Sequence, residues 1–173
     1  MLGHAAYAPG TVGFEKVVEE FGNDIVDENG VIDRRLLGRK VFGRENHSQM
    51  QKLEAIVWPE IWKMAQEKIA FMWKKQNKNV IIVDAAVLLQ AGWKENVNQL
   101  WVSIVDTETA VQRIVQRDAR TEEEARQRLS NQISNNQYVQ EANVVFCSKW
   151  EISYTQKQVD KAWEYTQKTY IQE

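Results

Sequence analysis

Three arginines lie close together in the middle of the chain. Arg113 and Arg117 are four positions apart, so a helix places them on one face, and Arg120 follows just past the expected end of that helix. Fixed guanidinium groups neutralise the charge that accumulates on a phosphoryl group during its transfer. A solvated helix face with Asp118 as a local partner is the simpler interpretation. The spacing is compatible with phosphoryl transfer without requiring it.

Asp84 follows directly after a block of β-branched residues at positions 80–83. Such a continuous apolar block predicts a strand buried on both faces of a parallel sheet. A carboxylate at the end of that strand can hold magnesium through water or accept a proton from a hydroxyl group. It can also simply cap the turn that follows. From the residues alone, the two interpretations carry equal weight.

A second basic cluster lies on the helix predicted after Asp33. It consists of Arg34, Arg35, Arg39 and Lys40. These side chains could receive an anionic substrate through bidentate contacts, although a solvated helix face is the simpler interpretation. Tyr7, in the turn at residues 7–10, could lie against a substrate, but the turn alone says little.

The elements that position these residues alternate between strands and helices in the second half of the chain. Strands are predicted at 80–83, 100–105 and 143–147, and helices begin at Asp106-Thr107 and at the capping box of Thr121 and Glu124. The capping-box helix is predicted to run to about residue 134, and Thr155 with Gln158 is predicted to cap a last helix. Strand and helix alternation predicts an α/β parallel sheet with helices on both faces, and ligands bind beyond the carboxyl ends of such strands. Function is therefore expected just after residues 83, 105 and 147.

The first half of the chain is predicted to be helical. Residues 11–21 form a short amphipathic helix that stops at Gly22, and Asp33 caps a helix that stops at Gly43. Apolar residues recur at threes and fours from 48 to 76, where Pro59 should break or kink the helix.

Composition limits the classes of function. The chain has 173 residues, 43% of them apolar, and 22 basic against 24 acidic residues give a formal charge of −2. That length favours a single domain at 1–173, and the charge gives no general attraction to nucleic acid or to an anionic membrane. The single cysteine, Cys147, and the lack of a membrane-spanning run or secretory signal lead us to expect a soluble, intracellular protein.

Taken in order, several segments resemble dephospho-CoA kinase, and specifically the kinase domain of animal bifunctional coenzyme A synthase. The segments are HAAYAPG (4–10), FGNDI (21–25), GVIDR (30–34), VFG (41–43), IVWP (56–59), VDAAVLL (83–89), RIVQRD (113–118), RQRLSNQ (126–132) and KWE (149–151). The resemblance runs nearly end to end. No single segment is decisive, and their order and spacing carry the match.

The resemblance implies a P-loop kinase-like α/β fold with a helical lid at about 113–134. It implies transfer of the ATP γ-phosphate to the ribose 3′-hydroxyl of dephospho-CoA, with Mg²⁺, in the last step of coenzyme A synthesis. The catalytic residues it implies are Asp84, Arg113 and Arg117, and the ATP-binding residues are Arg113, Arg117, Arg120, Lys149 and Trp150. The residues that it implies for dephospho-CoA are Tyr7, Arg34, Arg39, Leu88 and Gln132. No metal ligand is assigned.

The departures from the family pattern matter as much as the matches. The resemblance implies a strand, a Gly-rich phosphate-binding loop ending in Gly-Lys-Ser or Gly-Lys-Thr, a helix and an acidic motif that supplies the base, all near the start of the domain. None of these motifs occurs in the 173 residues. We expect them immediately before Met1, so the isolated chain should be weakly active or inactive.

Two alternative functions stay open. A shortened isoform or paralogue could act as a non-catalytic CoA-binding or interaction module, or the chain could be a nucleotide kinase with another acceptor. The resemblance also implies fusion or association with a phosphopantetheine adenylyltransferase domain, and a cytoplasmic or mitochondrion-associated location.

Overall fold

The computed structural model describes residues 2–130 and 132–171, so Asn131 of the 126–132 segment lies outside the described residues. Backbone contacts divide the chain into two compact units, Met1–Val83 and Asp84–Glu173. The single domain expected from chain length stays a prediction.

The first unit is helical. Its helices are α1 (Leu2–Ala5), α2 (Val12–Phe21), α3 (Arg34–Val41) and α4 (His47–Gln76). The predicted helix starts are confirmed: the Thr11 hydroxyl accepts a hydrogen bond from the Phe14 amide, and the Asp33 carboxylate accepts from the first turn of α3. Side chains from α2, α3 and α4 and the connections between them form one core. The core residues are Ala6, Val17, Phe21, Ile25, Ile32, Leu37, Val41 and Val57.

Helix α4 spans 30 residues and continues through Pro59, so the helix does not break there, and the alternative of a kink stays a prediction. An internal proline removes one backbone hydrogen bond and crowds the preceding turn. Packing of α1, α2 and α3 against α4 holds the helix together across that position. Tertiary contacts therefore override the local signal.

The strand predicted at 80–83 is wrong. The segment has no assigned secondary structure, and Ile82 is 85% exposed. Within the described residues the only sheet is a pair of strands elsewhere in the chain, so this segment has no ladder partner. A β-branched composition shows that a segment fits a sheet, not that a neighbouring strand is there to pair with it.

The second unit contains two parallel strands, β1 (Trp101–Ile104) and β2 (Val144–Cys147), which confirm two of the predicted strands. Trp101 pairs with Val144, and Ile104 pairs with Cys147. The helices of this unit are α5 (Thr107–Asp118), α6 (Glu122–Ser130), α7 (Asn135–Glu141) and α8 (Ile152–Tyr170). The connection between the strands carries α5 to α7, which is the arrangement of an α/β protein.

Two helix boundaries differ from prediction. The capping box of Thr121 and Glu124 is confirmed, but α6 ends at Ser130 and a second capping box at Ser134 begins α7. Helix α8 begins at Ile152, so Thr155 and Gln158 lie inside it and do not cap it. In the described part of the chain, no helix combines the length and apolar character needed to cross a bilayer.

Candidate functional site

The carboxyl ends of β1 and β2 lie at the same edge of the sheet because the strands are parallel. Asp106 comes two residues after β1 and is the N-cap of α5. Ser148 and Lys149 come directly after β2. Polar side chains therefore meet at the edge where ligands bind in parallel α/β sheets.

Asp106 joins the two strand ends. Its Oδ1 accepts from the Thr109 amide at 3.0 Å, and its Oδ2 lies 3.1 Å from the Lys149 Nζ. The hydrogen bond from the Thr109 amide, followed by that from Lys149, lowers the pKa of Asp106 to about 2. The carboxylate is therefore ionised at neutral pH and forms an ion pair with Lys149.

Arg113 reaches the same edge from α5. Its Nη1 donates to the Ser148 hydroxyl at 3.3 Å, and its Nη2 donates to the Ser148 carbonyl. The Ser148 amide in turn donates to the Ile104 carbonyl at 2.9 Å. The predicted residues Arg113 and Lys149 thus each bridge the ends of the two strands, Arg113 through Ser148 and Lys149 through Asp106, and these bridges form the network at the carboxyl edge.

The Lys149 ammonium lies 5.7 Å from the centroid of the Trp150 ring, close enough for a cation–π contact. Trp150 is 59% exposed, so its ring is accessible. An open groove of about 580 Å³ begins at this ring and is lined by Trp150, Glu151, Ser153, Tyr154 and Lys157. A ring that is accessible and close to a cation can stack on a planar base.

The other predicted arginines of this region are paired with acidic neighbours. Arg117 donates to both carboxylate oxygens of Asp118, and these bonds raise the pKa of Arg117 and lower that of Asp118. Arg120 lies 3.9 Å from Glu124. In this conformation Arg117 is paired with Asp118, as the simpler interpretation of the arginine cluster predicts.

Three further predicted residues lie outside this network. Asp84 is exposed. Gln132 is also exposed, and its backbone amide donates to the Leu129 carbonyl. Leu88 is buried, and its carbonyl accepts from the Trp93 amide at 2.9 Å. The described residues contain no group of three or more histidine, cysteine or acidic side chains that could hold a metal ion.

In the first unit, Arg34 and Tyr7 lie near each other around His4. Arg34 Nη1 is 3.1 Å from His4 Nε2, and the His4 and Tyr7 rings meet edge to face at 6.5 Å. Burial raises the pKa of the Tyr7 hydroxyl, and Arg34 opposes that shift. The predicted basic cluster divides here, because Lys40 donates to Asp24 while Arg39 is exposed.

The resemblance implied that the segment from Ser148 to Trp150 lies near the adenine, whereas sequence reasoning missed roles for Asp106 and His4. The rule that function follows the carboxyl ends of strands pointed to the positions of Asp106 and Ser148. That rule does not identify their partners, because residues far apart in the sequence, such as Arg113 and Ser148 at 35 positions, are brought together only by the fold. Nothing in the spacing around His4 indicated its contact with Arg34.

Two parallel strands joined through helices, with polar side chains at their carboxyl edge, define an α/β protein with a candidate ligand site at that edge. Comparison with known proteins gives the family within that class. The model of the dephospho-CoA kinase family matches residues 1–152, and the chain belongs to this family.

Individual relatives agree. A dephospho-CoA kinase from Symbiobacterium thermophilum is 32% identical over 164 residues, covering 92% of this chain and 66% of that protein. One from Geobacter sulfurreducens is 32% identical over 162 residues, covering 94% of this chain and 81% of that protein. The solved structure of dephospho-CoA kinase from Campylobacter jejuni superposes with a TM-score of 0.65 at 24% identity, covering 96% of this chain and 82% of that one. The predicted kinase-like α/β fold is confirmed.

Proposed function

We propose that this chain is the larger part of a dephospho-CoA kinase, which transfers the γ-phosphoryl group of ATP to the ribose 3′-hydroxyl of dephospho-CoA. Family membership supports the reaction. The observation that carries the proposal is that Arg113 and Lys149 both bind partners at the carboxyl edge of the strands, Ser148 and Asp106 respectively. Two cations held there suit an anionic nucleotide, because fixed positive charge stabilises the transferring group without reorganisation.

On the ATP side, we assign charge neutralisation to Arg113, Arg117 and Arg120, and the adenine to Lys149 and Trp150. Arg117 has to exchange Asp118 for a phosphate oxygen when ATP binds. Such an exchange is feasible at an exposed site, because surface ion pairs contribute little stability. It fits a lid at about 113–134 whose charged surface moves over the nucleotide.

Magnesium, when bound, would neutralise charge on the β- and γ-phosphates. Asp84 is an exposed carboxylate and suits this role, since Mg²⁺ in such sites usually takes one or two carboxylates together with phosphate oxygens and water. An all-protein cage of acidic residues is not required. Asp84 would hold the ion through water or accept the proton of the acceptor hydroxyl.

On the acceptor side, we assign dephospho-CoA to Tyr7, Arg34, Arg39, Leu88 and Gln132. The exposed guanidinium groups of Arg34 and Arg39 suit the anionic groups of this substrate. The side chain of Leu88 is buried, so its part is to shape the turn that precedes Trp93.

The proposal includes a phosphate-binding loop that these 173 residues do not contain. It also includes fusion or association with a phosphopantetheine adenylyltransferase domain, and an intracellular location, where ATP is available. Reading the coding sequence on both sides of this segment tests the first two points. Cell fractionation with an antibody against the chain tests the location and any association with mitochondria.

The test of activity uses the full-length protein with ATP, Mg²⁺ and dephospho-CoA, with coenzyme A detected by mass spectrometry. We expect Arg113→Ala to lower kcat by about 100-fold or more, because it removes a fixed positive charge from the transition state. Lys168→Ala, on the exposed face of α8, is the matched control and should leave kcat unchanged.

Two outcomes would contradict the proposal. Binding of CoA or dephospho-CoA without any turnover of ATP would favour a non-catalytic module. Faster phosphorylation of a nucleoside monophosphate than of dephospho-CoA would favour a nucleotide kinase with another acceptor.

A further inference from the structure

Two side-chain bridges connect the β1–α5 corner to the segment after β2. Asp106 holds Lys149, and Arg113 holds Ser148. Each bridge joins residues more than 30 positions apart in the sequence. The segment that carries Lys149 is therefore fixed by side chains from the neighbouring strand end as well as by its own backbone.

Besides the Thr109 hydroxyl, which both share, the two oxygens of Asp106 have different partners. Oδ1 accepts from the Thr109 amide and caps α5, whereas Oδ2 faces the Lys149 ammonium at 3.1 Å. The Thr109 hydroxyl lies within 3.1 Å of both oxygens and fixes the carboxylate plane. The capping contact and the ion pair can therefore be separated by substitution, because asparagine is as good an N-cap as aspartate but carries no charge.

Lys149 needs such a partner. Its side chain is 46% exposed, and a lysine side chain loses considerable rotational freedom when a ligand immobilises it. Asp106 and the Trp150 ring hold the ammonium group before any ligand arrives. A group that is already ordered reduces the entropy lost on binding.

We propose that Asp106 is a positioning residue, which holds the Lys149 ammonium beside the Trp150 ring so that ATP meets a preorganised cation. The inference rests on the proposed assignment of Lys149 and Trp150 to ATP. Asp106 acts through Lys149, since a carboxylate at this place would repel phosphate groups if it faced them directly.

The test is a double-mutant cycle in the full-length protein with Asp106→Asn, Lys149→Gln and the combined variant. We expect Asp106→Asn to raise both the KM and the calorimetric Kd for ATP about two- to fivefold, the range typical of an exposed ion pair. The kcat should change by less than about twofold, because the interaction is equally strong in the ground and transition states. The combined variant should bind ATP no more weakly than Lys149→Gln alone.

Glu164→Gln is the matched control, because it removes an exposed ion pair with Lys168 on α8. It should change neither KM nor kcat. Thermal unfolding of all variants accompanies the kinetics and shows that each is folded under the assay conditions, although Asp106→Asn should melt at a lower temperature than the wild type because it loses the ion pair with Lys149.

Additive effects of the two substitutions would overturn the inference, because Asp106 would then act independently of Lys149, for example by contacting the ribose. A fall in kcat with unchanged KM would overturn it as well, as would an effect no larger than that of the control. If the wild-type protein binds ATP but does not phosphorylate dephospho-CoA, the proposed reaction fails while the binding cycle still decides this inference. Failure to bind ATP at all would overturn both.

Discussion

We expect that replacing Gly13 with alanine lowers the stability of the protein, although helix propensity alone predicts a gain in stability. Gly13 is the second residue of α2, and a Cβ atom there would lie 2.0 Å from the carbonyl oxygen of Ala6. That oxygen also accepts a hydrogen bond from the Thr11 hydroxyl at 3.2 Å. Ala6 is 2% exposed and immediately precedes Tyr7, so the backbone at this place has little freedom to move away.

The magnitude follows from two opposing effects. Alanine in place of glycine stabilises a helix interior by at most about 1 kcal/mol. Overpacking against a fixed neighbour costs about 1–3 kcal/mol, and a backbone carbonyl yields less readily than a side chain. We expect Gly13→Ala to lower the free energy of unfolding by about 1–2 kcal/mol.

Chemical denaturation followed by far-ultraviolet circular dichroism measures this change. Gly3→Ala in α1 is the matched control, because a Cβ there would meet only the Ile61 side chain at 3.9 Å, an ordinary contact. The control should be neutral or slightly stabilising. An equal or greater stability of Gly13→Ala relative to the wild type would refute the close approach of α2 to Ala6.

Three further predictions concern the core, the sheet edge and pH. Ile25→Ala should lower the free energy of unfolding by about 2–5 kcal/mol in denaturant titrations, because Ile25 is fully buried. Gln158→Ala should lower it by about 1 kcal/mol by removing the partner of the Cys147 amide, whereas the exposed Gln156→Ala should not. The pKa of Asp106 is about 2 in the folded state, against 3.8 for an aspartate without these partners. The contribution of Asp106 to the free energy of unfolding is therefore complete above about pH 4 and is lost on acidification towards pH 2. Asp106→Asn should remove that part of the acid dependence of the melting temperature.

Each of these has a contrary result. Unchanged stability of Ile25→Ala would mean that the α2–α3 connection is not packed as described. Equal effects of Gln158→Ala and Gln156→Ala would show that the contact with Cys147 contributes nothing. A variant Asp106→Asn with the same acid dependence as the wild type would assign the low-pH transition to other carboxylates.

Local signals in the sequence are sufficient for the starts of α2 and α3. Thr11 and Asp33 cap α2 and α3 through hydrogen bonds that span three positions or fewer. Such contacts are encoded within one turn, so they are visible in the sequence. The predictions of β1 and β2 are also confirmed, because each of these two β-branched blocks has the other as a pairing partner in the fold.

Non-local interactions explain what the sequence did not reveal. Residues 80–83 have the composition of a strand but lack a partner in the described chain. Thr155 and Gln158 have the spacing of a capping box, yet the Gln158 amide contacts Cys147, 11 positions away. In the candidate site, Arg113 and Lys149 could be named from the sequence, whereas the pairing of Lys149 with Asp106 depends on the fold.

The contact between Gln158 and Cys147 also bears on self-association. The Gln158 side chain accepts from the Cys147 amide at 3.0 Å and donates to its carbonyl at 2.9 Å, as a neighbouring strand would. An exposed strand edge invites pairing with a second chain, which is a common route to aggregation. A strand from another molecule would have to displace this side chain before it could add to β2 at Cys147, so α8 protects that end of the sheet edge.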